Sequence, residues 1–112
     1  MTRYGMVIGL NEDKIEEYKK LHEAAWPEVL KTIEKCNIRN YSIYLHRLDE
    51  AGYYLFSHFE YVGCDFDADM AKMAADPTTQ RWWDVCTPCQ RPLKNRTKGE
   101  WWANMTEVFH HE

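Results

Sequence analysis

The chain predicts an α+β fold of the ferredoxin-like type, with elements in the order βαββαβ on an antiparallel sheet. Three observations carry this expectation. Segments with two-residue alternation lie near the start, in the middle as a pair, and at the end. Segments with apolar residues at steps of three and four lie between them. A short polar turn ending in glycine joins the middle pair as a hairpin. With 112 residues, residues 1–112 read as a single domain of common size with one modest core.

Residues 3–10 alternate, Tyr4, Met6, Ile8 and Leu10 against Arg3, Gly5, Val7 and Gly9, as a strand with small residues on one face does. Asn11 or Asp13 is placed to cap the helix that follows, whose first turns are acidic. That helix, over residues 11–36, carries Ile15, Tyr18, Leu21, Ala25, Val29, Ile33 and Cys36 on one face. Pro27 lacks a backbone donor, so the helix kinks near Trp26 or restarts at Pro27. A second strand runs from Asn40 to Leu48, with Tyr41, Ile43 and Leu45 on one face. The turn Asp49-Glu50-Ala51-Gly52 leads into a third strand, Tyr53 to Tyr61, aromatic on both faces. A second helical stretch begins near Asp65, and Asp76-Pro77 caps and opens a short helix holding Arg81, Trp82 and Trp83. Residues 90–100 are basic and read as a solvated loop, a lid or an arm. Met105 to His110 reads as the last short strand.

Composition narrows the function. The net charge of −4 argues against nucleic-acid binding, which calls for a basic face. No apolar run reaches the roughly 18 residues that span a bilayer. The opening residues enter a strand without a signal-peptide core, so the expected location is cytoplasmic. The four cysteines then read as thiols. Cys86 and Cys89 have the spacing of a zinc or redox pair, but Cys36 and Cys64 are isolated and no second pair completes a zinc site. No metal site is expected. Strands apolar on both faces leave one side of the sheet bare, and a second copy of the chain is the simplest cover. Five Trp and seven Tyr exceed what so small a core needs and suggest a ligand pocket, an interface, or both.

His22 is the leading site candidate. At about 100° per residue it falls within the apolar stripe of its helix, one turn after Tyr18 and one turn before Trp26. A lone histidine on such a face is ordinarily a core residue with satisfied nitrogens. Its aromatic company and its titration near neutral pH are also what an enclosed acid/base site would show. Taken singly, Trp82 and Trp83 read as core or interface and Tyr41 as a strand core residue.

A resemblance adds to this reading. Glu17 to Glu28, containing Tyr18, His22, Trp26 and Pro27, resembles the first helix of the L-rhamnose mutarotase family. Asn40 to Leu45 resembles that family's second strand, Gln80 to Trp83 its double-tryptophan element, and Glu107 to His110 its closing strand. The four segments follow in order over nearly the whole chain. The resemblance implies a ferredoxin-like fold of the dimeric α+β barrel type and interconversion of the α and β anomers of a 6-deoxy sugar, without a cofactor. It matches His22 to the catalytic proton donor and Tyr18, Tyr41, Trp82 and Trp83 to substrate-contacting residues. The stretch Thr87 to Ala103, with its own pair Trp101-Trp102, is a variant of the family's pre-strand loop. Sugar preference is therefore open between L-rhamnose and a relative such as L-fucose.

The chemistry suits these residue types. Opening a hemiacetal ring delivers a proton to the ring oxygen and removes one from the anomeric hydroxyl, and closure reverses both. A group that gives and retakes a proton near neutral pH serves both directions, with a tyrosine hydroxyl or a water it holds as counterpart. Flat aromatic rings pack on the C–H faces of a pyranose, while Tyr O–H and Trp N–H groups reach its hydroxyl rim. Two other readings share the scaffold: a cofactor-free oxygenase of the dimeric α+β barrel type, and a non-catalytic sugar-binding dimer.

Overall fold

In the computed structural model, which describes residues 1–112, four main helices lie on one face of an antiparallel sheet. The elements are β1 (Thr2–Leu10), α1 (Ile15–Glu23), α2 (Pro27–Lys35), β2 (Ile38–Arg47), β3 (Tyr53–Tyr61), α3 (Phe66–Ala75), α4 (Pro77–Cys86), β4 (Gln90–Arg91) and β5 (Ala103–Met105). The sheet order is β2-β3-β1-β4, and β5 also pairs with β1. This is the expected βαββαβ arrangement with each helical unit divided in two.

The divisions follow local chemistry. Pro27 takes the first position of α2, where its missing N–H costs nothing, so the first helical unit restarts there rather than kinking. Asp65 accepts from the N–H of Ala68 at the start of α3. Asp76 accepts from the N–H and hydroxyl of Thr79 at the start of α4, at 2.8 and 2.9 Å. Neither Asn11 nor Asp13 caps the first helix through its side chain. A 3-10 turn over Glu12–Lys14 leads into α1, and the Asn11 amide instead donates to the carbonyl of Pro88, tying the two chain crossings together. Gly52 ends the β2–β3 turn at φ 95°, a conformation that favours glycine.

The fourth strand of the fold is split. Gln90 and Arg91 pair with Leu10 and Gly9, and Ala103, Asn104 and Met105 pair with Val7, Met6 and Gly5 further along the same edge of β1. Residues 92–102 leave the ladder between them. The expected solvated loop over residues 90–100 is therefore corrected at its start, where Gln90 and Arg91 are strand. Gly9 makes this pairing possible, because a Cβ there would lie 2.6 Å from the Arg91 carbonyl oxygen.

The last strand is also shifted from Met105–His110 to Ala103–Met105. Continued in register, Val108 would face Thr2 and His110 would pass beyond Met1, so β1 runs out as a partner. An ion pair joins Arg3 to Glu107 at 3.1 Å, while Val108 and Phe109 stand 92% and 80% exposed.

The main core lies between sheet and helices, around Ile8, Leu10, Tyr18, Val29, Leu55 and Trp82. A smaller cluster joins Ile38, Phe59 and Tyr61 to α3. There the Tyr61 hydroxyl donates to Asp69 and accepts from the N–H of Asp65, and Asn37 donates to the same carboxylate. These bonds hold the Asp69 carboxyl below its usual range and fix α3 against β3. The opposite sheet face carries the row Tyr44, Phe56 and Val7, with Met105 in the next row, and no helix covers it. No helix is long and apolar enough to cross a membrane.

Candidate functional site

His22 sits in the last turn of α1. Its Nδ1 lies 2.9 Å from the carbonyl oxygen of Tyr18, one turn back. A carbonyl only accepts, so Nδ1 carries the proton and Nε2 is the free nitrogen of the neutral ring. The ring stacks on Tyr18 with centroids 4.2 Å apart and meets the edge of Trp82 at 5.2 Å. The expected second neighbour, Trp26, lies instead behind Trp82, because the break before α2 takes it out of the α1 stripe. Burial lowers the pKa of His22, and the Tyr18 carbonyl opposes this in part. The resting ring is therefore neutral at pH 7, with a lone pair on Nε2.

Tyr41 reaches the site through a β-bulge. Arg39 pairs with Glu60 but Ser42 with His58, so β2 holds one residue more than β3 between them. Asn40 takes φ 50°, a left-handed value that asparagine tolerates better than most residues. The extra residue changes the parity of the strand, so Ile38 comes to share a face with Tyr41 and Ile43. Tyr41 is 43% exposed, and the partial burial of its side chain against the cavity wall pushes its pKa up to about 12. It is a neutral phenol at physiological pH.

Trp82 and Trp83 come from α4, Trp82 buried and Trp83 partly exposed. Although adjacent helical residues point about 100° apart, both reach one cavity of about 350 Å³ between helices and sheet. The five candidates, Tyr18, His22, Tyr41, Trp82 and Trp83, all line it. A volume in the range of roughly 300–1,000 Å³ and a mostly apolar wall with a few polar groups are usual for a small-molecule site.

Gln90 of β4 and, from the loop before β5, Trp101 and Trp102 also enter the wall. Gln90 donates from Nε2 to the Tyr18 hydroxyl at 3.1 Å and accepts at Oε1 from the Trp101 indole at 2.7 Å. Sequence reasoning missed Gln90, since a glutamine heading a basic stretch carries no signal of its own. Its place follows from the backbone pairing with β1. Trp101 and Trp102 were visible as an unusual pair, but not as part of the wall.

Cys86 also lines the cavity, and burial pushes its thiol up to about 12. The Cys89 thiol lies 3.4 Å from a Glu17 carboxylate oxygen and is likewise raised by burial. At neutral pH neither is a reactive thiolate. No group of three or more His, Cys, Asp or Glu residues is placed to hold a metal ion.

A sequence model described as L-rhamnose mutarotase matches residues 3–111. An L-rhamnose mutarotase of Oceanobacillus iheyensis is 32% identical over 110 residues, 98% of each chain. One from Lactiplantibacillus plantarum is 30% identical with the same coverage. Among solved structures, the L-rhamnose mutarotase of Formosa agariphila superposes with a TM-score of 0.75 at 22% identity, covering 100% of both chains. The tetracenomycin F2 cyclase of Streptomyces glaucescens superposes with a TM-score of 0.67 at 11% identity, again over 100% of both chains. The fold is thus shared with a polyketide cyclase.

Proposed function

Because the chain belongs to the L-rhamnose mutarotase family, we propose that it interconverts the α and β anomers of free L-rhamnose by acid/base ring opening and reclosure. The observation that carries the role of His22 is the contact of its Nδ1 with the Tyr18 carbonyl oxygen, which sets its tautomer. With Nδ1 tied to the Tyr18 carbonyl, Nε2 is a base in a largely apolar cavity. In the forward step Nε2 takes the proton of the anomeric hydroxyl, a tyrosine hydroxyl gives one to the ring oxygen, and the C1–O5 bond breaks to leave the open-chain aldehyde. Rotation about C1–C2 turns the other carbonyl face to the C5 hydroxyl. The phenolate then retakes its proton from that hydroxyl as C1–O5 re-forms, and the imidazolium, now the proton donor, returns its proton to the carbonyl oxygen. No proton is gained or lost over the cycle.

Tyr18, Tyr41, Trp82 and Trp83 supply the sugar-binding walls in this reading. Aromatic faces suit the C–H surfaces and methyl group of a 6-deoxy-hexose, and L-fucose is the relative to compare with L-rhamnose. The same reading makes the protein a cytoplasmic homodimer, supported by the uncovered apolar row on the sheet.

The test is saturation transfer between the α and β anomeric protons of L-rhamnose and L-fucose. Exchange should accelerate over buffer with wild-type protein. His22→Asn should lose about 100-fold or more in rate while sugar titration still shows binding. No acceleration for either sugar would sink the proposal.

A further inference from the structure

Tyr18 and Tyr41 both line the cavity, and the acid that serves the ring oxygen has so far been only a tyrosine. The contacts around Gln90 distinguish them. An indole N–H donates and never accepts. Trp101 Nε1 lies 2.7 Å from Gln90 Oε1, which fixes which end of the amide is oxygen, an assignment usually left to inference. The NH₂ end must then face Tyr18, whose hydroxyl oxygen is 3.1 Å away. Since that oxygen accepts from Gln90, its proton is turned away from the amide and is free to be donated.

We infer that Gln90 and Trp101 are positioning residues for anomer exchange: together they fix the Tyr18 hydroxyl as a hydrogen-bond donor to bound sugar and so select Tyr18 as the acid for the ring oxygen. The inference rests on the mutarotase reading above. Tyr18 gives its proton to the ring oxygen while His22 Nε2 takes the anomeric proton. The amide N–H of Gln90 stabilises the phenolate left behind, and its bond is strongest at that moment. Because β4 is only Gln90–Arg91 and Trp101 stands near the far end of the excursion of residues 92–102, the contact between Gln90 and Trp101 pins the two ends of that loop to each other across the site. The loop thereby reports to the catalytic proton through one side chain.

The test compares Gln90→Glu, Gln90→Leu and Trp101→Phe with wild type by saturation transfer on L-rhamnose. Gln90→Glu is nearly isosteric, but a carboxylate can only accept, so it draws the Tyr18 proton onto itself. Its exchange rate at saturating sugar should fall about tenfold or more at pH 8, with little change in sugar affinity. The ratio of variant to wild-type rate should rise as pH falls and the new carboxyl regains a proton to donate. Gln90→Leu should be slow without that recovery. Trp101→Phe keeps an aromatic ring but removes the indole N–H, which frees the amide to flip, and should be intermediate. Independently of sugar, the Trp101 indole N–H signal, assigned through Trp101→Phe, should shift in Gln90→Leu. If wild type exchanges anomers and Gln90→Glu matches it at every pH, the positioning role is overturned and the mutarotase reading stands. If wild type exchanges neither sugar, that reading falls and takes the role with it, even where the indole signal shifts.

Discussion

At the residue scale the direction of the His22 pKa has two consequences that can be measured separately. Burial favours the neutral ring, so the folded-state value lies below the ordinary 6.5. Exchange should therefore be level from pH 7 to 8 and fall on the acid side, as protonation removes the Nε2 lone pair. The stability effect has the same sign. Between the lowered folded value and 6.5 the unfolded chain holds more protons than the folded one, so folding free energy is lost as pH drops through that window and levels off below it. His22→Asn has no such group. The difference in melting temperature between wild type and His22→Asn should accordingly shift against wild type on going from pH 7.5 to 5. A difference that stays constant, with an exchange rate flat to pH 5, would mean that His22 is not the titrating base. Cys86, by contrast, sits in the same wall with its thiol raised to about 12, so it titrates nowhere near this range.

At the element scale the site depends on a backbone feature that side-chain patterns do not announce. The bulge at Asn40 sets the parity that turns Tyr41, Ile43 and Leu45 toward the helices. The sequence does show that those three residues share a face, and it shows the helix start near Asp65, the cap at Asp76, an interruption at Pro27 and the apolar stripe bearing His22. Those features rest on local periodicity and on residues with narrow conformational preferences. The bulge, the split fourth strand and the contacts of Gln90 rest on which backbone lies alongside, and neither Asn40 nor Gln90 encodes its neighbour. Helical periodicity likewise places Trp26 above His22, whereas the break between α1 and α2 hands that position to Trp82, far along the sequence. Asn40 offers a direct test. Asn40→Val forces a β-branched side chain into φ 50°, at a cost of about 1–2 kcal/mol, and should lower the melting point by several degrees while reducing exchange through Tyr41. Asn40→Gly should retain most of both. A valine variant that melts and exchanges like wild type would show that the bulge is not fixed at this position.

At the scale of the whole molecule the two faces of the sheet have different fates. One is packed by four helices and holds the cavity. The other presents Val7, Phe56, Tyr44 and Met105, with Val7 and Phe56 half-buried and Tyr44 and Met105 exposed, and beside it the tail carries Val108 and Phe109 into solvent. A contiguous apolar surface of this kind is unusual on a monomer, and a self-complementary patch pairs most simply about a two-fold axis. The proposed dimer therefore makes a sharp expectation. In sedimentation at micromolar concentration the wild-type chain should run at twice its own mass. Tyr44→Lys with Phe56→Lys should run at the mass of one chain, because two charges would have to be desolvated at the centre of the contact. These side chains point away from the helix-packed core, so the circular dichroism of the double variant should keep its wild-type shape, separating loss of the dimer from loss of the fold. A wild-type chain that sediments as a monomer would remove the dimer from the proposal while leaving the cavity, and the His22 chemistry assigned to it, within one chain.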